Sequence, residues 1–276
     1  MTESGVTDLD LESLAGTAER AARAGGAVLL EYQDRVLEVT LKDERVDVSS
    51  SADLAAQEAV LAAIAAERPD DVVVGEESPS DTGVASEGLV WWVDPLDGSR
   101  AYIDGFPWFA TAVAITVGGE PAVAAVYDPL RDELYRAVRG GGATCNGRPL
   151  RVAAAEKVAE VVVIVQAQSS DPVVIAEFAR LMRAMLTVSA GVRFPGAPAL
   201  VMAHIAAGHL GGYVERDMNP WDVAGGRLLI EEAGGRVTDF EGRTRDASSR
   251  YDVVASNGAV HDELVAATGM QFEEGG

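Results

Sequence analysis

The sequence predicts an α+β protein built of stacked helical and sheet layers. Three observations lead there. Helices paired with β segments occur in both halves of the chain, the middle reads as a run of consecutive strands, and 48% of the 276 residues are apolar, ample for a sizeable core. That length allows one large domain or two halves sharing an interface. The glycine-rich stretch at 140–142 and the tight turn Asn146-Gly147 place the boundary near residue 150, giving an N-terminal half at 1–150 and a C-terminal half at 151–276.

Residues 9–32 carry apolar side chains at helical spacing among many alanines and predict an amphipathic helix. A second helix over 52–67 follows capping candidates Ser49, Ser50 and Ser51 and ends at Arg68-Pro69. Residues 71–74 form a short β run closing on Gly75, Glu76 and Glu77, and 89–93 another closing on Asp94-Pro95. Three β segments then follow in meander order, 109–117, 122–127 and 133–138, separated by the turn signals Gly118-Gly119 and Asp128-Pro129. In the second half a strand at 161–165, helices at 172–185 and 197–207, a strand at 212–215, a helix at 220–233, strands at 237–239 and 253–256, and a helix at 261–268 alternate. There is no internal repeat or low-complexity tract. The polar or acidic ends, 1–7 and 272–276, are expected to fray.

The formal net charge of −22 argues against nucleic acid or an anionic membrane as partner, because both require clustered Lys and Arg. A phosphorylated substrate would need bound divalent cations to offset the repulsion. Lysine occurs only at Lys42 and Lys157, a bias that fits high-salt adaptation and GC-rich coding equally. Cys145 is the single cysteine, so no intramolecular disulfide can form, and a reducing compartment fits. No stretch is long and apolar enough to cross a bilayer, and the start is acidic where a secretory signal would be basic and then apolar. A cytoplasmic protein is expected.

Acidic residues gather at element ends: Asp53 near a helix start, Glu76 and Glu77 past one strand, Asp94 and Asp97 past another, and Asp222 in a first helical turn. Strand ends and helix starts are where α/β proteins place their sites. Oxygen ligands without His or Cys suit Mg²⁺ and argue against zinc. Asp94-Pro95-Leu96-Asp97-Gly98-Ser99 is the most informative run. Asp94 and Asp97 can converge with the Leu96 carbonyl. Gly98 lets a ligand approach the backbone, and a short helix beginning there would aim the Gly98 and Ser99 amides at phosphate. Each position also has an ordinary use. Asp97-Gly98 suits a plain turn, Glu76-Glu77 a solvated loop, and Asp53 and Asp222 are common partners of a helix dipole, with Asn219-Pro220 supplying cap and N1 proline. Trp91, Trp92, Trp108 and Trp221 read as core, and His204, His209 and His261 as surface or satisfied positions. No nucleophile elbow, P-loop or dinucleotide fingerprint occurs.

Gly75-Glu76-Glu77-Ser78, Trp92-Val93-Asp94-Pro95-Leu96-Asp97-Gly98-Ser99 and Trp221-Asp222-Val223-Ala224-Gly225 resemble the three signatures of the inositol monophosphatase-like family. Its superfamily also holds fructose-1,6-bisphosphatases and 3′-phosphoadenosine 5′-phosphate phosphatases. Order and spacing hold over roughly residues 10–268. The resemblance implies a layered αβαβα sandwich, a homodimer, lithium sensitivity and a Mg²⁺-dependent phosphate monoesterase, with two or three ions and Mn²⁺ as a substitute. It implies metal ligation by Glu76, Asp94, the Leu96 carbonyl, Asp97 and Asp222, with Asp53, Ser99 and Glu76 serving the attacking water. Phosphate would meet Gly98 and Ser99, and the rest of the substrate Asp97, Glu215, Lys42 and Arg100. The implied substrate is a small phosphorylated polyol or sugar such as inositol 1-phosphate. Fructose 1,6-bisphosphate, histidinol phosphate and 3′-phosphoadenosine 5′-phosphate are alternatives, and a non-catalytic cation-binding protein is the alternative of another class. Three departures stand out: Ser99 replaces a threonine, Arg100 replaces an uncharged residue, and Pro198 stands where a backbone amide contacts inositol, though proline has no N–H to give.

Overall fold

The computed structural model describes residues 10–33, 35, 37–41, 48–78, 88–167 and 169–272. Its first helix, α1 (Leu11–Tyr32), starts at Asp10, whose carboxylate accepts from the Ser13 amide at 3.0 Å. β1 (Val39–Leu41) and β2 (Val48–Ser50) form a small antiparallel pair, and α2 (Ser51–Ala65) follows directly with Ser50 as its cap. β3 (Val72–Gly75), β4 (Leu89–Asp97), β5 (Ala110–Val117), β6 (Glu120–Asp128), β7 (Glu133–Val138), β8 (Gly142–Cys145) and β9 (Arg148–Pro149) build a seven-stranded sheet in chain order, with the short helix α3 (Ser99–Ile103) between β4 and β5. β3 and β4 are parallel and every later neighbour is antiparallel.

The second sheet has the order β11-β10-β12-β14-β13, with β10 (Val162–Gln166), β11 (Gly191–Arg193), β12 (Gly212–Met218), β13 (Arg236–Thr238) and β14 (Tyr251–Ser256). α4 (Pro172–Val188), α5 (Pro198–Ala206), α6 (Pro220–Glu232) and α7 (His261–Thr268) complete the chain.

Strand alternation sorts these elements into layers, because successive side chains point to opposite faces. On β5 and β6, Val113, Ile115, Val123 and Ala125 pack with Leu14, Ala18 and Ala22 of α1 and Val60 and Ile64 of α2. The alternate residues Ala110, Ala112, Ala124 and Val126 face Leu200, Met202, Leu228 and Leu229 of α5 and α6, which also cover Ile164, Tyr213, Val253 and Ala255 of the second sheet. The far side of that sheet, Val163, Val165, Val214 and Val254, packs on Leu181 and Met185 of α4 and Leu264 of α7. Five layers result, αβαβα. The inner helices touch closely: a Cβ on Gly226 of α6 would lie 2.6 Å from the Met202 Cβ.

Most predicted elements appear within a few residues of their expected limits. β4 and β12 run past their expected ends at 93 and 215, to Asp97 and Met218, and both carry a register irregularity in the added stretch. β1, β2, β8, β9 and β11, of two to four residues each, were not anticipated. Trp91 and Trp92 are buried, with indole N–H groups donating to Asp71 and Thr116, both at 2.9 Å. His261 is buried between the hydroxyls of Thr238 and Ser256, at 2.8 and 2.9 Å.

Candidate functional site

In a regular strand, residues three apart face opposite sides. β4 avoids this: Asp94 pairs with Ala112 of β5 and Asp97 with Ala110, so three steps on β4 oppose two on β5. The extra residue brings both aspartates to the face carrying Ala110 and Ala112, toward α5. Gly98 then turns the chain with φ of +96°, and α3 begins at Ser99. The Ser99 hydroxyl donates to Asp53 Oδ1 at 2.7 Å, with the Leu96 carbonyl 3.0 Å away. Asp53 is fixed in turn by the N–H and hydroxyl of Ser50, which reach its Oδ2 at 2.7 and 2.6 Å as one half of a capping box. Burial raises the Asp53 pKa, and the Ser50 and Ser99 hydrogen bonds oppose that rise.

Glu76 follows β3, its amide bonded to the Val93 carbonyl at 3.0 Å. Asp222 lies in the first turn of α6, where it accepts from the Asn219 amide at 3.3 Å. Glu76, Asp94, Asp97 and Asp222 feel one another's charge. Burial and that repulsion lift Asp94 and Asp222 well above the ordinary carboxylate range, and Glu76 is hydrogen-bonded to Asp94. Asp97 is raised by burial to about 7, although its Oδ2 accepts the Leu200 amide of α5 at 2.8 Å. Its Oδ1 is buried with no partner among the described residues. Glu215 of β12 is likewise raised by burial to about 7, and the Tyr213 hydroxyl and the Gln166 amide, the latter at 3.2 Å, donate to it.

One cavity of about 1140 Å³ is lined by Glu76, Asp94, Leu96, Asp97, Gly98, Ser99, Arg100, Glu215 and Asp222. Asp53 is outside the lining, behind Ser99. Arg100 is at the mouth, paired with Asp104 at 2.9 Å. Lys42 lies outside the described residues. Among the described residues no three His, Cys, Asp or Glu side chains stand gathered around an ion position. The donor chemistry nonetheless fits a hard cation: all oxygen, several like charges in mutual repulsion, and one buried carboxylate oxygen left unpaired.

Residues 10–271 match the family model described as "Inositol monophosphatase family". The chain belongs to that family. It is 35% identical over 249 residues to the "Nus factor SuhB" of Pasteurella multocida, covering 90% of this chain and 92% of that one. It is also 35% identical to the "Fructose-1,6-bisphosphatase/inositol-1-monophosphatase" of Aquifex aeolicus, covering 93% and 95%. Among solved structures, the extragenic suppressor protein suhB of Bartonella henselae superposes with a TM-score of 0.87 at 30% identity, covering 94% of this chain and all of that one.

Within this family member two further departures, besides Arg100 at the mouth, have structural settings. Ser99 keeps the hydroxyl that reaches Asp53. Pro198 is the first residue of α5, where no intrahelical bond needs an N–H, and Ala197 before it takes φ of +55°. Sequence reasoning missed Gln166, which pairs in register with Glu215 across β10 and β12 and also lines the cavity. Its signal was available: one polar residue closing the apolar strand Val162–Gln166. It missed Ser50 as the anchor of Asp53. It also missed Phe106, Phe178 and Phe194, which line the same cavity from distant parts of the chain and leave no local signal.

Proposed function

We propose that the chain is a Mg²⁺-dependent phosphate monoester hydrolase acting on a small phosphorylated metabolite with a sugar or polyol part. The carrying observation is one cavity lined by four mutually repelling carboxylates and by Ser99, whose hydroxyl donates to Asp53 behind it. Glu76, Asp94, Asp97 and Asp222, with the Leu96 carbonyl, would hold the cation. When bound, it lowers the pKa of water and offsets charge on phosphate and leaving oxygen.

The chain's own groups supply orientation. Asp53, fixed by Ser50, takes the Ser99 proton in its hydrogen bond, which leaves the Ser99 oxygen free to accept from water and hold it toward phosphorus. Asp53 thus acts through Ser99. The Gly98 and Ser99 amides suit the phosphate oxygens, and Glu215 with Arg100 suits hydroxyl and anionic groups on the rest of the substrate. Phosphoryl transfer needs positioning and charge stabilisation rather than a covalent intermediate. The reading includes a cytoplasmic homodimer of twice the 28.9 kDa chain mass.

The test joins Mg²⁺ titration calorimetry with phosphate release from inositol 1-phosphate, fructose 1,6-bisphosphate, histidinol phosphate and 3′-phosphoadenosine 5′-phosphate. Asp94→Asn should fold, bind Mg²⁺ weakly and lose nearly all Mg²⁺-dependent release; wild-type turnover in that variant removes the reading. Relatives named Nus factor favour a second, non-catalytic reading. Tight Mg²⁺ binding without release from any ester would establish it.

A further inference from the structure

The cavity has a wall that neither phosphate nor a polyol requires. Phe178 of α4 and Phe194, from the loop between β11 and α5, pack with ring centroids 5.1 Å apart and planes at 46°. Phe106, from the loop between α3 and β5, lines the same space. Phe194 is 55% exposed, Phe106 54% and Val173, at the start of α4, 76%, and all three line the cavity. Large apolar side chains exposed singly are ordinary; gathered from three separate elements at one opening, they mark a binding surface.

Size points the same way. The volume of about 1140 Å³ exceeds the roughly 300–1,000 Å³ that encloses a drug-sized ligand, so a phosphate and a sugar alone leave this wall facing water. Hydroxyl groups have a separate counterpart on β10 and β12, where Glu215 and Gln166 stand side by side and Gln166 Oε1 has no partner among the described residues. Tilted phenyl rings favour another aromatic ring in edge or offset contact over a flexible hydrated chain.

We propose that the substrate is a phosphate monoester whose alcohol carries an aromatic ring, with the ring against Phe178 and Phe194 and the phosphate at the carboxylates. The kinetic arm rests on the phosphatase reading above; the binding arm does not. Ring-bearing esters, adenosine 3′-phosphate and 2-phenylethyl phosphate, are compared with inositol 1-phosphate and glycerol 2-phosphate in full-length wild-type, Phe194→Ser and Phe194→Tyr proteins. Binding of 3-phenylpropylphosphonate, which cannot be hydrolysed, is followed by calorimetry with Mg²⁺ present.

Phe194→Ser should raise KM for ring-bearing esters at least about fivefold with kcat nearly unchanged, weaken phosphonate binding by a similar factor, and leave the ringless esters alone. Phe194→Tyr should behave as wild type. A preference for adenosine 3′-phosphate over the phenyl ester locates the ring on a sugar, and the reverse locates it on a plain chain. Equal effects on both ester classes, or phosphonate binding indifferent to Phe194, overturns the proposal. So does a Phe194→Ser protein that changes its mass in solution while binding phosphonate normally, since a second copy then covers the wall. If no ester is hydrolysed but phosphonate binding still depends on Phe194, the enzyme reading falls and the ring site stands.

Discussion

Glu215→Gln should stabilise the protein without metal, by an amount that grows from pH 4.5 and is complete above about pH 7. Glu215 is 3% exposed and its carboxyl titrates near 7 in the fold against 4.5 for an ordinary glutamate, with burial as the chief cause. A carboxylate pKa raised by folding costs nothing below 4.5. The penalty grows between 4.5 and about 7 and is complete above 7, so stability falls as pH rises through that window. At 1.36 kcal/mol per pH unit the full penalty is about 3 kcal/mol. Glutamine keeps an acceptor for the Tyr213 hydroxyl and the Gln166 amide and cannot ionise. For a chain of this size 1 kcal/mol moves Tm by roughly 2–4 °C, so the variant should melt roughly 6–12 °C above wild type at pH 8 and close to it at pH 5. Thermal unfolding followed by circular dichroism in EDTA from pH 5 to 8 measures the difference. A Tm gap that stays constant with pH, or shrinks toward pH 8, refutes the assignment of a buried, reluctantly ionised carboxyl to Glu215.

Ser99→Ala should lower kcat about a hundredfold with Mg²⁺ affinity intact, while Ser99→Thr, which keeps the hydroxyl near Asp53, should remain active; steady-state kinetics with calorimetry separate the two effects. Gly226→Ala should destabilise by about 1–3 kcal/mol in urea unfolding, because its Cβ would sit 2.6 Å from that of Met202 in the packed α5–α6 contact. Lithium should inhibit phosphate release by occupying a Mg²⁺ position, and release unaffected by Li⁺ at concentrations that inhibit family relatives counts against that assignment.

Much of the fold was legible because its long elements carry regular patterns. The alanine-rich period of α1 and the meander of β5, β6 and β7 can be read locally. Strands of two to four residues such as β8, β9 and β11 have no room for a period, and only their neighbours define them. In the candidate site, the acidic positions sit in short motifs at element ends, so their gathering could be anticipated. Their mutual facing could not, because it depends on the irregularity between Asp94 and Asp97 that a strand expected to end at Val93 conceals. Neither could the apolar wall: Phe106, Phe178 and Phe194 lie far apart in the chain, and each alone reads as a common hydrophobic residue.

Asp97 serves two masters. One oxygen holds the Leu200 amide at the entrance to the helix sandwiched between the sheets, and the other is left over for the cavity. Selection on folding alone would therefore keep an oxygen acceptor at 97, aspartate or asparagine, even in a descendant without phosphatase chemistry. A surviving acceptor there is weak testimony to living chemistry. Ser99 is a sharper witness: among the described residues its hydroxyl reaches only Asp53 and the Leu96 carbonyl beside it, so on the proposed reading drift would erase it first once water no longer had to be held.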